Sequence, residues 1–512
     1  MTNLEHVVVS AEQMRSLEER VFEAGMPVAA LMEKAAALCA RRIQELYPSR
    51  LRVGVLVGPG NNGGDALVVA RELHLQGYPV TLFRPLAKLK ELPAHHFQYA
   101  QSLGIPGNDK IDGLQNCALI VDGLFGVGLT RSLSGNIAEA VNQLNDWALP
   151  VISIDLPSGI HTDTGEALGT AVRATRTLCL GLWKLAFFQD RALEYIGTAE
   201  RLDWGVPPMD VWSIISDPPP VQTMNRAVVQ QILPLPRPRV THKYQQGHLL
   251  LICGSRRYSG GATLTALGAR ASGVGMLSVA VPETLKPILV SQLPEALTIG
   301  CPETESGAIA ALPEEASDLS DFTVIACGPG LTLDAKPIID QVLTAACPLI
   351  LDADGLNILA QLEPVPTLSR RQGATVLTPH PGEFKRLFPD IPHPNGDRIQ
   401  AVQTAAQQSG AVVLLKGSRT VIAHPGGSVW LVPASTPALA RGGSGDVLTG
   451  LIGGLLASST RTEPPLEATV AAAAWWHAQA GILAAQERTE LGVDAFTLSQ
   501  SLMPTLKAAI DN

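Results

Sequence analysis

The chain has 512 residues, of which 46% are hydrophobic, enough to form more than one packed core and to exclude a disordered chain. Its 38 Lys and Arg residues stand against 47 Asp and Glu residues, and the formal net charge of −9 excludes a surface built to coat nucleic acid or an anionic membrane. Glycine is abundant, with 47 residues, and aromatic residues are scarce at 4%, a composition typical of α/β domains with glycine-rich turns.

The first elements predicted along the chain are two helices and a strand. Ser10 and Gln13 form a capping-box pattern in front of a helix with apolar residues at helical spacing. A second amphipathic helix is predicted from residue 28 to about residue 46. The apolar run at residues 51–57 predicts a buried strand that leads into a glycine loop.

Polar residues follow three predicted strands of this first region. Gly58–Asp65 follows the strand at 51–57, and two further apolar runs end in Asp122 and Asp155. Consecutive glycines let backbone N–H groups converge on an anion, although the spacing matches neither G-x-G-x-x-G nor a P-loop. Because the carboxyl ends of parallel strands meet at one edge of a sheet, we expect these segments to form one cation or proton-transfer site. The alternative is a tight structural turn with two aspartates that tie loops.

These segments, with Leu31–Glu33 and Asp155–Gly159, resemble the NAD(P)H-hydrate epimerase family over residues 10 to about 207. The resemblance implies a Rossmann-like three-layer domain that interconverts the R and S hydrates of NADH and NADPH. It implies K⁺ ligation by Asn62, Asp122 and Ser158. It also implies a hydrate site formed by Asn61, Asn62, Gly63, Gly64, Asp65, Gly126, Val127, Gly128, Leu129, Thr130, Arg131, Ser132, Asp155 and Lys184.

The chemistry of epimerisation requires an acid/base group in this region. The hydrate carries a hydroxyl beside the ring nitrogen, and proton donation helps the C–O bond to break before water returns on the other face. Asp155 is the predicted catalytic residue, and Lys184 is a weaker candidate because lysines are usually exposed. A binding or regulatory module that uses the same pocket without catalysis is the alternative.

A proline-rich stretch then divides the chain. Pro218–Pro220 is followed by three further prolines up to Pro238, and such a segment disfavours both helix interiors and central strands. We therefore predict a boundary near residue 218, with one α/β domain over residues 1–217 and a second over residues 225–512.

The second region repeats the pattern of apolar strands followed by glycine, aspartate or lysine. Strands are predicted at 248–253, 322–326, 349–351 and 412–415. The segment Gly442–Asp446 precedes a helix predicted from Val447 to about Ala457, and the charge-free run 468–486 predicts a buried helix because alanine gives little membrane-transfer energy.

The most specific chemical signal lies in Gly442–Asp446. Its backbone N–H groups can form an anion hole, and Asp446 can activate an acceptor hydroxyl, a combination suited to phosphoryl transfer. Lys416–Thr420 adds a cation and hydroxyls for phosphates. His380 lies between two prolines that can fix its imidazole, and for Asp352 and Asp354 a Mg²⁺ or substrate-hydroxyl role competes with loop capping.

These motifs resemble the ADP-dependent NAD(P)H-hydrate dehydratase family, which has a ribokinase-like three-layer fold, over about residues 225–512. The resemblance implies Asp446 as the catalytic residue and a hydrate site at Ala262, Gly330, His380 and Asp446. It implies ADP as co-substrate with Mg²⁺, and nucleotide contacts from Lys416, Gly417, Ser418, Arg419, Thr420, Gly442, Gly443, Ser444 and Gly445.

Both families in one chain, in this order, resemble the family of bifunctional NAD(P)H-hydrate repair enzymes. The rival interpretation is a ribokinase-like small-molecule kinase fused to a non-catalytic ligand-binding module. The seven cysteines lack a Cys-x-x-Cys pair and favour a reducing cytoplasm. We expect a cytoplasmic homo-oligomer whose partners are small molecules, with neither nucleic acid nor membrane among them.

Overall fold

The computed structural model describes residues 4–459 and 464–511, and the chain separates into two compact units, Met1–Pro220 and Val221–Asn512. The outer limits of the predicted domains, residues 1 and 512, lie outside the described residues. The first strand of unit 2, Val221–Thr223, pairs with Val429–Leu431 in the second sheet, so this unit starts before the predicted residue 225.

Unit 1 is a three-layer α/β unit, as its sequence predicts. Its strands are β1 (Val8–Val9), β2 (Val53–Val57), β3 (Val80–Phe83), β4 (Gly107–Asn108), β5 (Leu119–Gly123), β6 (Val151–Ile154), β7 (Arg176–Leu180), β8 (Trp183–Lys184) and β9 (Thr198–Leu202). Its helices are α1 (Ala11–Glu23), α2 (Val28–Leu46), α3 (Asn61–Leu75), α4 (Glu91–Ser102), α5 (Gly135–Asp146), α6 (Leu193–Ile196) and α7 (Pro208–Ile214). Seven parallel strands form one sheet in the order β4-β3-β2-β5-β6-β7-β9, and β1 pairs with β8.

Alternation along the strands explains the layers of unit 1. Val53 and Val55 of β2 pack into the core formed with α1, α2 and α3. Leu56 points to the opposite face of the sheet and packs in the core that includes α5. The predicted capping box is present. The side chain of Ser10 accepts from the backbone N–H of Gln13, and the side-chain oxygen of Gln13 accepts from the backbone N–H of Ser10. That reciprocal cap starts α1 at Ala11.

Unit 2 is a larger three-layer α/β unit. Its strands are β10 (Val221–Thr223), β11 (His248–Ile252), β12 (Met276–Pro282), β13 (Leu297–Cys301), β14 (Val324–Cys327), β15 (Leu349–Leu351), β16 (Thr375–Leu377), β17 (Val412–Leu415), β18 (Val421–Ala423) and β19 (Val429–Leu431). Its helices are α8 (Arg226–Ile232), α9 (Ser259–Ala271), α10 (Lys286–Gln292), α11 (Lys336–Val342), α12 (Asp354–Leu359), α13 (Pro364–Leu368), α14 (Pro381–Leu387), α15 (Arg398–Ser409), α16 (Ser444–Ser458), α17 (Leu466–Arg488) and α18 (Ala495–Asp511). The sheet order is β10-β19-β18-β17-β16-β15-β14-β11-β12-β13, and β18 alone runs antiparallel to its neighbours.

Two helices begin inside the glycine segments that the sequence singled out. Helix α3 begins at Asn61 and α16 at Ser444, so the second halves of both glycine segments form the first helical turn instead of a loop. Gly443 adopts a left-handed φ of +89° that turns the chain into α16. The charge-free run at 468–486 lies within the buried helix α17, as predicted. Among the described residues, none of the helices combines the length and apolarity needed to cross a membrane.

Candidate functional sites

A cleft of about 400 Å³ lies at the carboxyl ends of β2, β5, β6 and β7 in unit 1, and we call it the unit 1 cleft. The predicted site residues that line it are Asn61, Asn62, Asp65, Gly126, Val127, Gly128, Leu129, Thr130, Arg131 and Asp155. Gly63 and Gly64 are buried within α3, and the exposed Ser132 lies outside the lining. The structure adds lining residues that the sequence did not indicate, among them Glu18, Lys90 and Leu180.

Asp155 and Lys184 form a buried pair at the wall of this cleft. The Lys184 ammonium donates to Oδ1 of Asp155 at 2.5 Å and to the carbonyl oxygen of Leu180, whose own N–H donates to the same Oδ1. Burial is the largest single effect and lowers the pKa of Lys184, but the charge and hydrogen bond of Asp155, together with Cys179 and Glu18, outweigh it, and the net shift is upward. The lysine is 1% exposed, so the expectation of an exposed side chain was wrong.

Asp155 itself has a backbone that L-residues rarely adopt. Its φ is +66°, directly after β6, and such strain clusters at functional sites. Both bonds described above go to Oδ1, whereas Oδ2 lies against Gly126, where a Cβ would stand 3.3 Å from it. A glycine at 126 therefore leaves room for a substrate beside Oδ2.

Two further carboxyl groups face the same cleft. Burial raises the pKa of Glu18 to about 7, and repulsion from Asp155 adds to the effect. Burial also raises the pKa of Asp65 well above its usual range, with further repulsion from Asp155 and Glu18. The unit 1 cleft thus contains two carboxyl groups whose pKa values are raised by burial, and groups with shifted pKa values are typical of sites of acid/base chemistry.

The predicted K⁺ ligands lie beside this cleft. Asp122 is fully buried, and it accepts hydrogen bonds from the N–H of Leu124, the hydroxyl of Ser153, and both the N–H and the hydroxyl of Ser158. Burial raises the pKa of Asp122, while these bonds oppose the rise. The side-chain amide nitrogen of Asn62 is buried without a hydrogen-bond partner among the described residues. A flipped amide would direct its oxygen there, and such a neutral oxygen near one carboxylate suits a monovalent cation.

Two clefts flank the glycine segment of unit 2. One, of about 550 Å³, is lined by Lys416, Gly417, Ser418, Thr420, Ser444, Gly445 and His380, and we call it the Lys416 cleft. The other, of about 480 Å³, is lined by Gly330, Gly442, Gly443, Asp446 and the candidate Asp354, with Tyr258 as an addition, and we call it the Asp446 cleft. Neither lining includes Arg419 or the fully buried Ala262.

Asp352 holds the lysine of the Lys416 cleft in place. Its Oδ1 accepts from the Lys416 ammonium at 2.7 Å, and its Oδ2 accepts from the hydroxyl of Thr449 in α16 at 2.6 Å. Burial opposes the charge of Lys416, but Asp352 and Glu383 keep its pKa raised. The carboxylate of Asp352 is thereby committed to positioning, and Lys416 presents a fixed positive charge beside Gly445.

Asp446 lies in the first turn of α16. Burial raises its pKa to about 7, repulsion from Asp352 raises it further, and Lys416 counteracts both. A carboxyl group with a pKa near neutrality at a helix N-terminus is matched to accept a proton from a hydroxyl at physiological pH.

Two histidines border the Lys416 cleft. In His380, Nδ1 accepts from the backbone N–H groups of Gly382 and Glu383, which places the proton on Nε2. His477, which the sequence did not single out, bonds through Nε2 to the carbonyl oxygen of Ser444, and burial lowers its pKa to about 4. A neutral His477 therefore supports the glycine turn without adding charge.

Comparisons with known proteins bear on both units. Residues 249–504 match a family model described as NAD(P)H-hydrate dehydratase, and residues 28–186 match one described as YjeF-related protein N-terminus. Bifunctional NAD(P)H-hydrate repair enzymes of Synechocystis sp. and Thermosynechococcus vestitus are 59% and 50% identical, over 98% of this chain and 95% and 98% of theirs.

A solved structure also shows similarity to this chain. The ADP/ATP-dependent NAD(P)H-hydrate dehydratase of Bacillus subtilis, co-crystallised with ATP and Mg²⁺, is 34% identical with a TM-score of 0.48. It covers 56% of this chain and 97% of its own.

Proposed function

The chain belongs to the family of bifunctional NAD(P)H-hydrate repair enzymes, and we propose that unit 1 interconverts the R and S hydrates of NADH and NADPH while unit 2 dehydrates the S hydrate at the expense of ADP. One observation carries the proposal: a single glycine turn separates the Lys416 cleft from the Asp446 cleft. A phosphoryl donor in one cleft and a hydroxyl acceptor in the other would meet at that turn.

In the dehydration, Asp446 removes the proton of the hydrate hydroxyl. The hydroxyl oxygen attacks the β-phosphorus of ADP, and the bond to the bridging oxygen breaks to release AMP. Backbone N–H groups of Gly442–Ser444 and the Lys416 ammonium stabilise the charge on the transferred group. The lone pair of the ring nitrogen then expels phosphate from its neighbouring carbon, and the released phosphate takes a proton from the next carbon, which restores the dihydronicotinamide.

Mg²⁺ would neutralise phosphate charge in this step. It prefers one or two carboxylates together with substrate phosphates. Asp352 is already hydrogen-bonded to Lys416 and Thr449. Asp354 lines the Asp446 cleft, and within residues 4–459 and 464–511 its Oδ1 has only a long contact to Asn357 at 3.4 Å. Asp354 is therefore the carboxylate that fits the ion.

In the epimerisation, Asp155 acts at the carbon that carries the hydroxyl. Lys184 and the N–H of Leu180 hold its Oδ1, so Oδ2 is the atom that exchanges a proton with the hydroxyl or with water. K⁺ held by Asn62, Asp122 and Ser158 would supply a fixed positive charge beside the glycine segment that meets the phosphates of the substrate.

A coupled assay tests both halves of the proposal. Purified protein receives mixed epimers and ADP, and the absorbance of the reduced cofactor reports dehydration while chromatography separates the epimers. We expect wild-type protein to consume both epimers, Asp446→Asn to exchange them without forming reduced cofactor, and Asp155→Asn to stop once the S epimer is used. A phosphorylated product without reduced cofactor would indicate the rival small-molecule kinase. Full conversion by Asp155→Asn would indicate that its carboxylate is not needed.

Cytoplasmic location and assembly into a homo-oligomer stay predictions of the sequence, as do the domain limits 1–217 and 225–512 for the two activities.

A further inference from the structure

Epimerisation places a demand on the unit 1 cleft that one carboxyl group does not meet. The hydroxyl leaves from one face of the ring and water returns to the other, so a proton must be given on one side and taken on the opposite side. Asp155 approaches from the end of β6 and can serve one of these faces. A second acid/base group on a different element of the wall is therefore required.

Glu18 of α1 meets the positional requirement. It lines the unit 1 cleft together with Asp155, and it also lines an adjoining cavity of about 80 Å³ whose other walls include the apolar side chains of Phe22, Leu31 and Trp204. Within the described residues its carboxylate makes neither a hydrogen bond nor an ion pair. A carboxyl group that faces a cleft without an internal partner remains available to a substrate.

We propose that Glu18 is the second acid/base residue of the epimerisation, an inference that rests on the function proposed for unit 1. Its carboxylic acid gives a proton to the departing hydroxyl as the C–O bond breaks and the lone pair of the ring nitrogen forms the C=N bond. Water then adds to the opposite face and gives a proton to Oδ2 of Asp155. In the reverse direction the two carboxyl groups exchange roles, and solvent returns the proton from one to the other.

The charges around Glu18 suit this role. Asp155, Lys184 and Asp65 face it from other elements, and Arg15 and Glu19 face it from its own helix. Burial and repulsion from Asp155 raise its pKa to about 7, so a large fraction of Glu18 carries a proton at neutral pH. Asp155, in contrast, accepts from the Lys184 ammonium at 2.5 Å through Oδ1, which leaves its Oδ2 directed towards Gly126 at the cleft. One group is thus prepared to donate and the other to accept.

The test compares Glu18→Gln with Glu23→Gln, an exposed glutamate on the same helix that is not among the charges facing Glu18. We expect Glu18→Gln to lower kcat for epimer exchange by about 10²–10⁴-fold with a small change in KM, since loss of an acid/base group typically has this effect. Dehydration of the pure S hydrate by the same sample should not change, which verifies that unit 2 is folded and active in the variant. Glu23→Gln should behave as the wild type in both assays.

Two further readouts separate catalysis from a structural effect. Wild-type kcat should fall above about pH 7 as Glu18 loses its proton, and this descending limb should be absent in Glu18→Gln. Formate should restore exchange to Glu18→Ala, because a small carboxylic acid can occupy the vacated space. Should Glu18→Gln fail to fold, Glu18→Asp replaces it and should retain partial activity.

The outcomes distinguish this inference from the proposed function. Exchange by Glu18→Gln within twofold of wild type, with Asp155→Asn inactive, overturns the role of Glu18 and leaves the epimerase proposal intact. Loss of activity in Asp65→Asn with full activity in Glu18→Gln assigns the second carboxyl group to Asp65 and also overturns it. Wild-type protein that does not exchange the epimers overturns both proposals.

Discussion

The Lys184 ammonium donates to Oδ1 of Asp155 at 2.5 Å and lies buried behind that carboxylate, which lines the unit 1 cleft. The lysine comes from β8 and the aspartate from the residue that follows β6. Their contact fixes which carboxylate oxygen faces the cleft, since Oδ1 accepts two hydrogen bonds and Oδ2 accepts none from the part of the chain that the structure describes. A residue that never lines the cleft therefore controls the orientation of one that does.

Replacing Lys184 with Met should destabilise unit 1 strongly. Removing one partner of a buried ion pair leaves an uncompensated charge and typically costs about 3–5 kcal/mol. Urea unfolding followed by tryptophan fluorescence measures the change, and Lys34→Met, which removes an exposed lysine of α2, is the control. A free energy of unfolding within about 1 kcal/mol of wild type would contradict a stabilising role for the pair.

Dehydratase activity should fall on the acidic side of neutrality. Burial and repulsion from Asp352 raise the pKa of Asp446 to about 7, and only its carboxylate form can accept the hydroxyl proton. Because protonation removes the base, kcat/KM for the S hydrate should fall about tenfold per pH unit below that pKa. A profile measured from about pH 5.5 to about pH 8 tests this expectation, and a flat profile would exclude Asp446 as the titrating base.

Asp352→Asn should move the acidic limb of the kcat/KM profile, the fall in activity below the pKa of Asp446, to lower pH. The negative charge of Asp352 raises the pKa of Asp446 more than Lys416 lowers it, so removing that charge lowers the pKa of Asp446. The variant should also raise KM for ADP, because Lys416 loses the partner that positions it at 2.7 Å. Asp340→Asn, which breaks an exposed ion pair with Lys336, is the control and should change neither quantity. An unshifted limb in Asp352→Asn would show that the two carboxylates are not coupled.

Regular patterns made much of the fold predictable. The capping box at Ser10 marked the start of α1, the apolar periodicity of 28–46 matched α2, and continuous apolar runs marked the buried strand β6. The short strands β18 and β19, with three residues each, carry too little periodicity to be separated from loops.

The site was less predictable because tertiary contacts decide it. A glutamate such as Glu18 on an amphipathic helix reads as a solvent-facing residue, and only the packing of α1 shows that it borders the cleft. The burial of the Lys184 side chain depends on its ion pair with Asp155, which lies 29 residues away in sequence. Strand-end aspartates were recognisable because the carboxyl edge of a parallel sheet is where ligands bind.

The last prediction concerns K⁺ and Asp122. The carboxylate of Asp122 accepts from the N–H and from the hydroxyl of Ser158 and lies fully buried, so Asp122→Asn replaces an acceptor oxygen with an amide that opposes the Ser158 N–H. Wild-type epimerase should show a lower KM for the hydrate in K⁺ than in tetramethylammonium, whereas the variant should show a higher KM that is the same in both salts. Ser153→Ala removes another hydrogen bond to Asp122 without removing a predicted ligand, and it should keep the salt difference. Dehydration of the S hydrate in the same salts serves as the internal control for unit 2. Equal KM values for the wild type in the two salts would show that Asp122 only ties loops together.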